Sequence, residues 1–329
     1  MKIYITLDYE LYFGANHGTV EKCILYPTSE LIRIAESTNV RFVFFVDIGF
    51  ILKLDEYRKK FPQLEADYKA VAGQVKTLSD TGHDVQLHIH PHWEDSYYNG
   101  ERWIINVSRY KLADFNEEQV RDIVLRYKAA LESITGKKTI AFRAGGWCLQ
   151  PFTKLEKIFR EAGIRVDSSV FRNGYFSSEQ YSYDFRNAPD KAIYRFEDDL
   201  TAEKKDGYFT ELPISPIRNS PLFFWKLFLL GRKDPYLHKP LGDGQAMPAP
   251  GYRKKLLTRF TNNPVSVDGY NSHLLQKALN GLQKEKKEHM VVIGHPKALS
   301  RYSLQKLEEF IKRNKDKHQF STFDKTFPG

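Results

Sequence analysis

Apolar runs alternate with segments of helical period along this chain. Lys2–Leu7 (KIYITL) reads as a strand, and a helix-like segment follows at about Thr28–Thr38. Arg41–Val46 (RFVFFV) is apolar without interruption, the pattern of a strand covered on both faces. Leu64–Gly82 has helical period and closes on a glycine. Asp84–Ile89 (DVQLHI) is the next strand. Asn116–Gly136 reads as a helix with Asn116 as N-cap and Gly136 just past its end. Lys138–Arg143 is a strand, Pro151–Gly163 a helix opened by its proline, and Ile164–Ser169 a strand. Gly207–Ser215 and His289–His295 are later strands, and helices at about Tyr270–Lys286 and Ser303–Asn314 complete the series.

Repeated strand–helix units imply a parallel sheet with helices outside it. Seven or so units suit a closed or nearly closed α/β barrel, whose catalytic residues gather at the C-terminal strand ends. The polar residues of this sequence fall there: Asp8 and Glu10 after the first strand, Asp47 after the second, His88 to His92 after the third, then Arg143, Asp167, Glu211 and His295. Residues 1–329 are read as one barrel domain. The stretch at about 171–264, rich in Tyr, Phe, Pro and Gly, is read as an irregular insertion of loops and added strands.

Composition narrows the function. The net charge is +9 with 28% charged residues, which favours anionic partners such as acidic glycans or lipid. No Lys/Arg run forms a nucleic-acid arm, and no nucleic-acid role is expected. Two cysteines, Cys23 and Cys148, make neither a disulfide framework nor a zinc knuckle. No apolar run approaches a membrane span. The nearest, Pro221–Gly231 (PLFFWKLFLLG), is expected as a core helix or buried loop. The alternative is a membrane-surface contact assisted by Arg232 and Lys233.

The densest chemistry is Asp84–Trp93, DVQLHIHPHW, which holds three of the chain's ten histidines at alternate positions. Alternation places all three on one face of an extended chain. A metal that activates water takes about three protein ligands and keeps a position open, and two histidines with one carboxylate are a common zinc set. Asp8 and Glu10 supply the carboxylates, one to bind the metal and one to remain a base. Pro91 sets a turn, across which His88 and His92 approach a common point. His90 is then a third ligand, a support for the ligands, or a packed core residue.

These motifs together resemble the polysaccharide deacetylases of carbohydrate esterase family four, with their NodB homology domain. LDYE resembles that family's paired acids in separated form, GHDVQLHIHPHW its His-x3-His motif, FRAGGW its third motif, VDSS its fourth and VIGHP its fifth. The resemblance spans Ile3 to Pro296 and implies a distorted (β/α)7-type barrel. It implies Glu10, His88 and His92 as ligands of a divalent metal, most simply Zn²⁺, and it moves His90 to a supporting place. It further implies Asp8 as the base, Arg143 as its partner, the Gly146 N–H as an oxyanion donor, and His295 as the acid, tuned by Asp167. Two departures stand out: Glu10 replaces a second Asp, and Ala144-Gly145-Gly146 precede Trp147 where Pro and an aromatic residue usually follow the Arg.

The implied reaction is hydrolysis of an N-acetyl group on an amino sugar in a glycan or glycan precursor. Trp93 and Trp147, with Tyr97, Tyr98 and Trp103, are candidates to stack on sugar rings, and Glu211 to bind substrate. A strand beginning at residue 2 leaves no room for a cleaved leader, so a cytoplasmic enzyme is expected, with peripheral contact at an anionic membrane surface. The alternatives are an amide hydrolase acting on a cyclic ureide or imide, and a silent glycan- or membrane-binding module.

Overall fold

The computed structural model describes residues 1–247 and 251–328. The strands used below are β1 (Lys2–Tyr9), β2 (Val43–Asp47), β3 (Asp84–Ile89), β4 (Ala141–Ala144), β5 (Val166–Asp167), β6 (Tyr194–Phe196), β7 (Phe209–Glu211), β8 (Pro216–Asn219), β9 (Thr261–Pro264), β10 (His289–Gly294) and β11 (Gln319–Phe320). The α-helices are α1 (Tyr26–Thr38), α2 (Ile48–Arg58), α3 (Glu65–Asp80), α4 (Glu117–Thr135), α5 (Glu156–Glu161), α6 (Pro221–Lys233), α7 (Pro235–His238), α8 (Tyr252–Thr258), α9 (Leu275–Lys284), α10 (Arg301–Asn314) and α11 (Phe323–Thr326). The chain divides into two compact units, one of Met1–Phe42 with Ile214–Ser321, the other of Val43–Pro213 with Thr322–Gly329.

In the first unit β1 runs parallel to β10, with Ile3 opposite Met290 and Leu7 opposite Gly294, and β11 pairs with the start of β1. The apolar residues of β1 and β10 are fully buried, as their unbroken hydrophobic runs require. The segment Val265–Val267 extends the pairing: the Val267 N–H donates to Ile293 O, and the Ile293 N–H to Val265 O. That brings the next residue, Asp268, beside the end of β10. A reciprocal Ser300–Ser303 cap opens α10, each backbone N–H meeting the other's hydroxyl.

In the second unit the strands follow the order β6-β7-β5-β4-β3-β2, all parallel neighbours except the antiparallel β6–β7 edge. The register aligns Asp47 with His88 and His88 with Arg143, while Asp167 lies opposite both Phe142 and Glu211. The polar strand-end residues read from the sequence therefore form a row here, because each follows a buried apolar run of similar phase. The cap expected for α4 is present: the Asn116 side chain accepts from the Gln119 N–H, and Gly136 adopts φ +69° at the other end.

Two expectations shift. The helix expected from Pro151 begins with a 3₁₀ turn at Phe152–Lys154 and becomes α-helical only at Glu156. The region 171–264, expected as loops and added strands, contributes the strands β6 and β7 and, in the first unit, the antiparallel pair β8 and β9, and it also carries helices α6 to α8 between that pair. No helix among the described residues is long and apolar enough to cross a membrane.

Candidate active site

The first unit gathers Asp8, Glu10 and His295. The parallel pairing of β1 and β10 carries both strand ends to the same edge. Asp8 and Glu10 are buried, and His295 Nε2 stands 3.7 Å from Asp8 Oδ2 and 3.8 Å from Glu10 Oε1. These separations are too long for hydrogen bonds and short enough for strong electrostatic contact. Asp268 holds the imidazole from behind: its Oδ1 accepts the His295 backbone N–H and its Oδ2 meets ring Nδ1, each at 2.8 Å. Burial alone lowers the pKa of an imidazole. Here Asp268, joined by Asp8 and Glu10, overrides it and lifts His295 to about 9. Lys297 adds a second cation. Its Nζ donates to Glu10 Oε1 at 2.9 Å and to Leu11 O at 2.5 Å, and it sits 4.9 Å from the ring centres of Tyr12 and Phe13.

The second unit gathers the histidines. His88 Nδ1 contacts the Arg143 carbonyl oxygen at 2.8 Å. A carbonyl only accepts, so Nδ1 carries the proton and Nε2 is the atom with a lone pair for a metal. His88 and His90 place ring nitrogens within 4.8 Å of one another, and their rings meet edge to face. His92 instead lies stacked on Tyr110 at an interplanar angle of 2° and against Trp93 at 28°. The resemblance implied His88 and His92 as ligands, whereas among the described residues it is His88 and His90 whose ring nitrogens fall in a group that could hold a metal; the His90 ring also meets His92 and Tyr110, with ring centres 5.2 and 5.7 Å away.

Gly145 and Gly146 now have a physical reason. A Cβ on Gly145 would lie 2.5 Å from His90 Nδ1, and one on Gly146, at φ +58°, would lie 2.8 Å from the Tyr110 ring. The two glycines let the backbone pass directly over His90 and Tyr110. Trp147 follows, half-buried, edge-on to Phe171 and Tyr183.

Arg143 is wholly buried. Its Nε donates to Ser168 O and its Nη2 to Ser168 Oγ, and its guanidinium lies 4.2 Å from the Phe45 ring centre. Asp167 accepts from the Ser169 N–H and hydroxyl, and the Ser169 hydroxyl in turn accepts the Ala144 N–H. Burial pushes the Asp167 carboxyl up and, aided by Asp167, pushes Glu211 up well above the ordinary range. With two carboxyls side by side in a dry place, the upward push is the stronger on Glu211, which is the favoured holder of a proton.

Three sequence assignments need correcting. Trp93 does not stack on a sugar: it is 0% exposed, with its indole N–H on Asp47 Oδ2 at 2.7 Å and Phe50 and Trp103 against it. Glu211 is equally enclosed and pairs with Asp167, so it has no surface for substrate. The carboxylate on the His295 ring is Asp268, while Asp167 is engaged with Ser169 and Glu211. Asp268 and Lys297 were the residues missed. Lys297 stands two positions past His295 in GHPK, where a lysine reads as surface. Asp268 lies in SVDGY, far from His295 in sequence, and only the pairing of Val265–Val267 with β10 reveals it.

No protein-family model matches the sequence, and no curated protein matches it. Solved structures do. A protein assigned as a polysaccharide deacetylase from Mycobacterium smegmatis is 16% identical, with TM-score 0.53 over 99% of this chain and 88% of that one. An allantoinase is 12% identical, with TM-score 0.52 over 100% of this chain and 91% of that one. A GH57 branching enzyme from Thermococcus kodakaraensis is 11% identical, with TM-score 0.54 over 100% of this chain and 71% of that one.

Proposed function

We propose that this chain, which has the NodB-type (β/α) barrel fold found over nearly its whole length in a solved polysaccharide deacetylase, is a metal-dependent hydrolase that removes an acetyl group from the nitrogen of an amino sugar. The fold is shared with an allantoinase and a branching enzyme, so fold alone does not select the reaction. The observation that carries the reading is His295, a half-buried imidazole clamped by Asp268 and facing the paired carboxylates of Asp8 and Glu10 at 3.7 and 3.8 Å. An acid and a base held in proximity are the parts an amide hydrolase needs.

In this reading Asp8 takes a proton from the attacking water, and Arg143 orients Asp8. The Gly146 N–H stabilises the oxyanion that develops on the acetyl carbonyl. His295, protonated at neutral pH, gives its proton to the departing nitrogen, so that amide and water become acetate and a free amine. Trp147 offers a half-buried face to the sugar. A divalent metal fits the donor chemistry, with Glu10, His88 Nε2 and His90 as its holders and Zn²⁺ the most natural ion for two imidazoles and a carboxylate. Bound there, it would polarise the carbonyl and lower the pKa of water.

The test is acetate release from a panel of N-acetylated amino sugars and sugar precursors, with and without chelator, with a cyclic ureide alongside. Chelator-sensitive acetate release supports the reading. Ureide hydrolysis without acetate release replaces it with the alternative amide chemistry.

A further inference from the structure

The segment from β8 to β9, with its helical excursion, carries most of the chain's net positive charge. Residues 216–264 hold nine Lys and Arg against two Asp and no Glu, a net +7 out of the chain's +9. They also hold most of its exposed large apolar side chains. Leu222 is 77% exposed, Leu229 59% and Trp225 51%, with Tyr236 and Phe260 exposed beside them in sequence. On α6, residues 222, 225 and 229 recur at helical spacing and form one stripe. Lys226, Arg232 and Lys233 are exposed on the same helix.

The stripe is built to point outward. The other side of α6 is anchored: Phe224 is buried, and Phe223 stacks on Tyr270 with ring centres 5.5 Å apart. Trp225 is held in place by its indole N–H, which donates to Leu257 O at 3.1 Å and ties α6 to α8. Arg253 of α8 lies over Phe228, and Arg218 of β8 over Phe260. Cations therefore interleave with exposed rings and aliphatic side chains over the whole excursion.

We propose that this surface docks the protein on an anionic lipid membrane, with Leu222, Trp225 and Leu229 entering the interface and the surrounding Lys and Arg meeting lipid phosphates. The pattern is that of an interfacial helix, with an apolar stripe flanked by basic residues and an amphipathic Trp at headgroup level. A soluble polyanion would satisfy the charge and leave the apolar stripe wet. A second copy of the chain would cover the stripe and oppose two +7 faces. A membrane satisfies both features. The surface also stands one packing layer from the acid: Tyr270, under Phe223, is two residues from Asp268.

The experiment is co-sedimentation with unilamellar vesicles of phosphatidylcholine alone or mixed equally with phosphatidylglycerol, which needs no knowledge of the enzyme's substrate. The protein is expected to pellet with the anionic vesicles at low salt, to be released by high salt, and to bind neutral vesicles at least tenfold more weakly. Leu222→Gln with Leu229→Gln, both at exposed positions, should weaken anionic-vesicle binding about tenfold with an unchanged melting temperature. Lys254→Gln with Lys255→Gln should weaken it as well and flatten its salt dependence. Absence of binding to anionic vesicles overturns the proposal. So does unchanged vesicle binding by the leucine variant together with tight heparin binding, which would mark a polyanion site. A salt-stable dimer in sedimentation velocity that the leucine variant abolishes would assign the stripe to a second copy instead.

Discussion

Asp268 grips His295 at two points, its Oδ1 on the backbone N–H and its Oδ2 on ring Nδ1, each at 2.8 Å. The clamp fixes which ring nitrogen faces the carboxylates and keeps the imidazole charged. With burial working against it, the combined field of Asp268, Asp8 and Glu10 still lifts His295 from 6.5 to about 9. The acid form is therefore the resting form at neutral pH and is lost as pH rises through about 9.

Asp268→Asn removes the largest of the charges that favour the imidazolium. The alkaline limb of the pH–rate profile should move to lower pH than in the wild-type protein, and kcat at pH 8 should fall by about 10²-fold, within the range for general acid catalysis. The metal content should not change. A variant whose limb stays in place would show that Asp268 only packs against the ring.

On the proposed reading His90 holds the metal and His92 packs. His90→Ala should lose the metal as His88→Ala does. His92→Phe keeps a flat ring against Tyr110 and Trp93 and should keep both the metal and the fold. His92→Ala should destabilise by about 3 kcal/mol through the lost stack, a packing effect visible in the melt. Metal analysis after dialysis checks all three. Full metal in His90→Ala with none in His92→Phe would restore the family's His-x3-His assignment.

Gly145→Ala places a Cβ 2.5 Å from His90 Nδ1, where only backbone or ring movement gives relief. The expected cost is about 1–3 kcal/mol of stability, with at least tenfold weaker metal binding. Gly73→Ala in α3 meets nothing within 4 Å and should stabilise by about 0.5–1 kcal/mol, a control for the effect of the added methyl alone. Denaturant melts and metal titrations read the two variants.

How much of this was readable from sequence differs by residue. The order of strands and helices followed from apolar runs and caps, because continuous burial and the Asn116 and Gly136 ends are local features. Asp8, Glu10 and His295 were readable as a group because each ends a strand and strand ends converge in a parallel sheet. Asp268 was not, since its approach to His295 depends on a long-range pairing of an irregular segment. Trp93 was misread because a tryptophan beside a histidine cluster looks the same in sequence whether its indole faces solvent or Asp47. The surroundings of His90 and His92 depend on Tyr110, whose ring meets both and which lies eighteen or more positions along the chain. The exposed stripe on α6 ran against the simplest reading of an apolar run as core.

The Asp167–Glu211 pair makes stability fall with pH. The folded state keeps on Glu211 a proton that the unfolded chain releases above its ordinary pKa, so the penalty is absent below about pH 4.5 and grows as pH rises toward the raised folded value. Glu211→Gln replaces the shared proton with an amide N–H and should flatten that dependence between pH 5 and 8. Melting temperatures across that range test it. A variant with the wild-type slope would place the titration elsewhere.

The central claim is that Asp8 is the base of a metal-dependent deacetylation. The most direct measurement is acetate released from N-acetylated amino sugars by three preparations: chelated wild type, wild type reloaded with Zn²⁺, and reloaded Asp8→Asn. The account predicts release by the reloaded wild type alone, with Asp8→Asn retaining its metal and losing at least 10²-fold in rate. Equal release by the chelated protein or by Asp8→Asn, or no release from any member of the panel by the reloaded wild type, would contradict it.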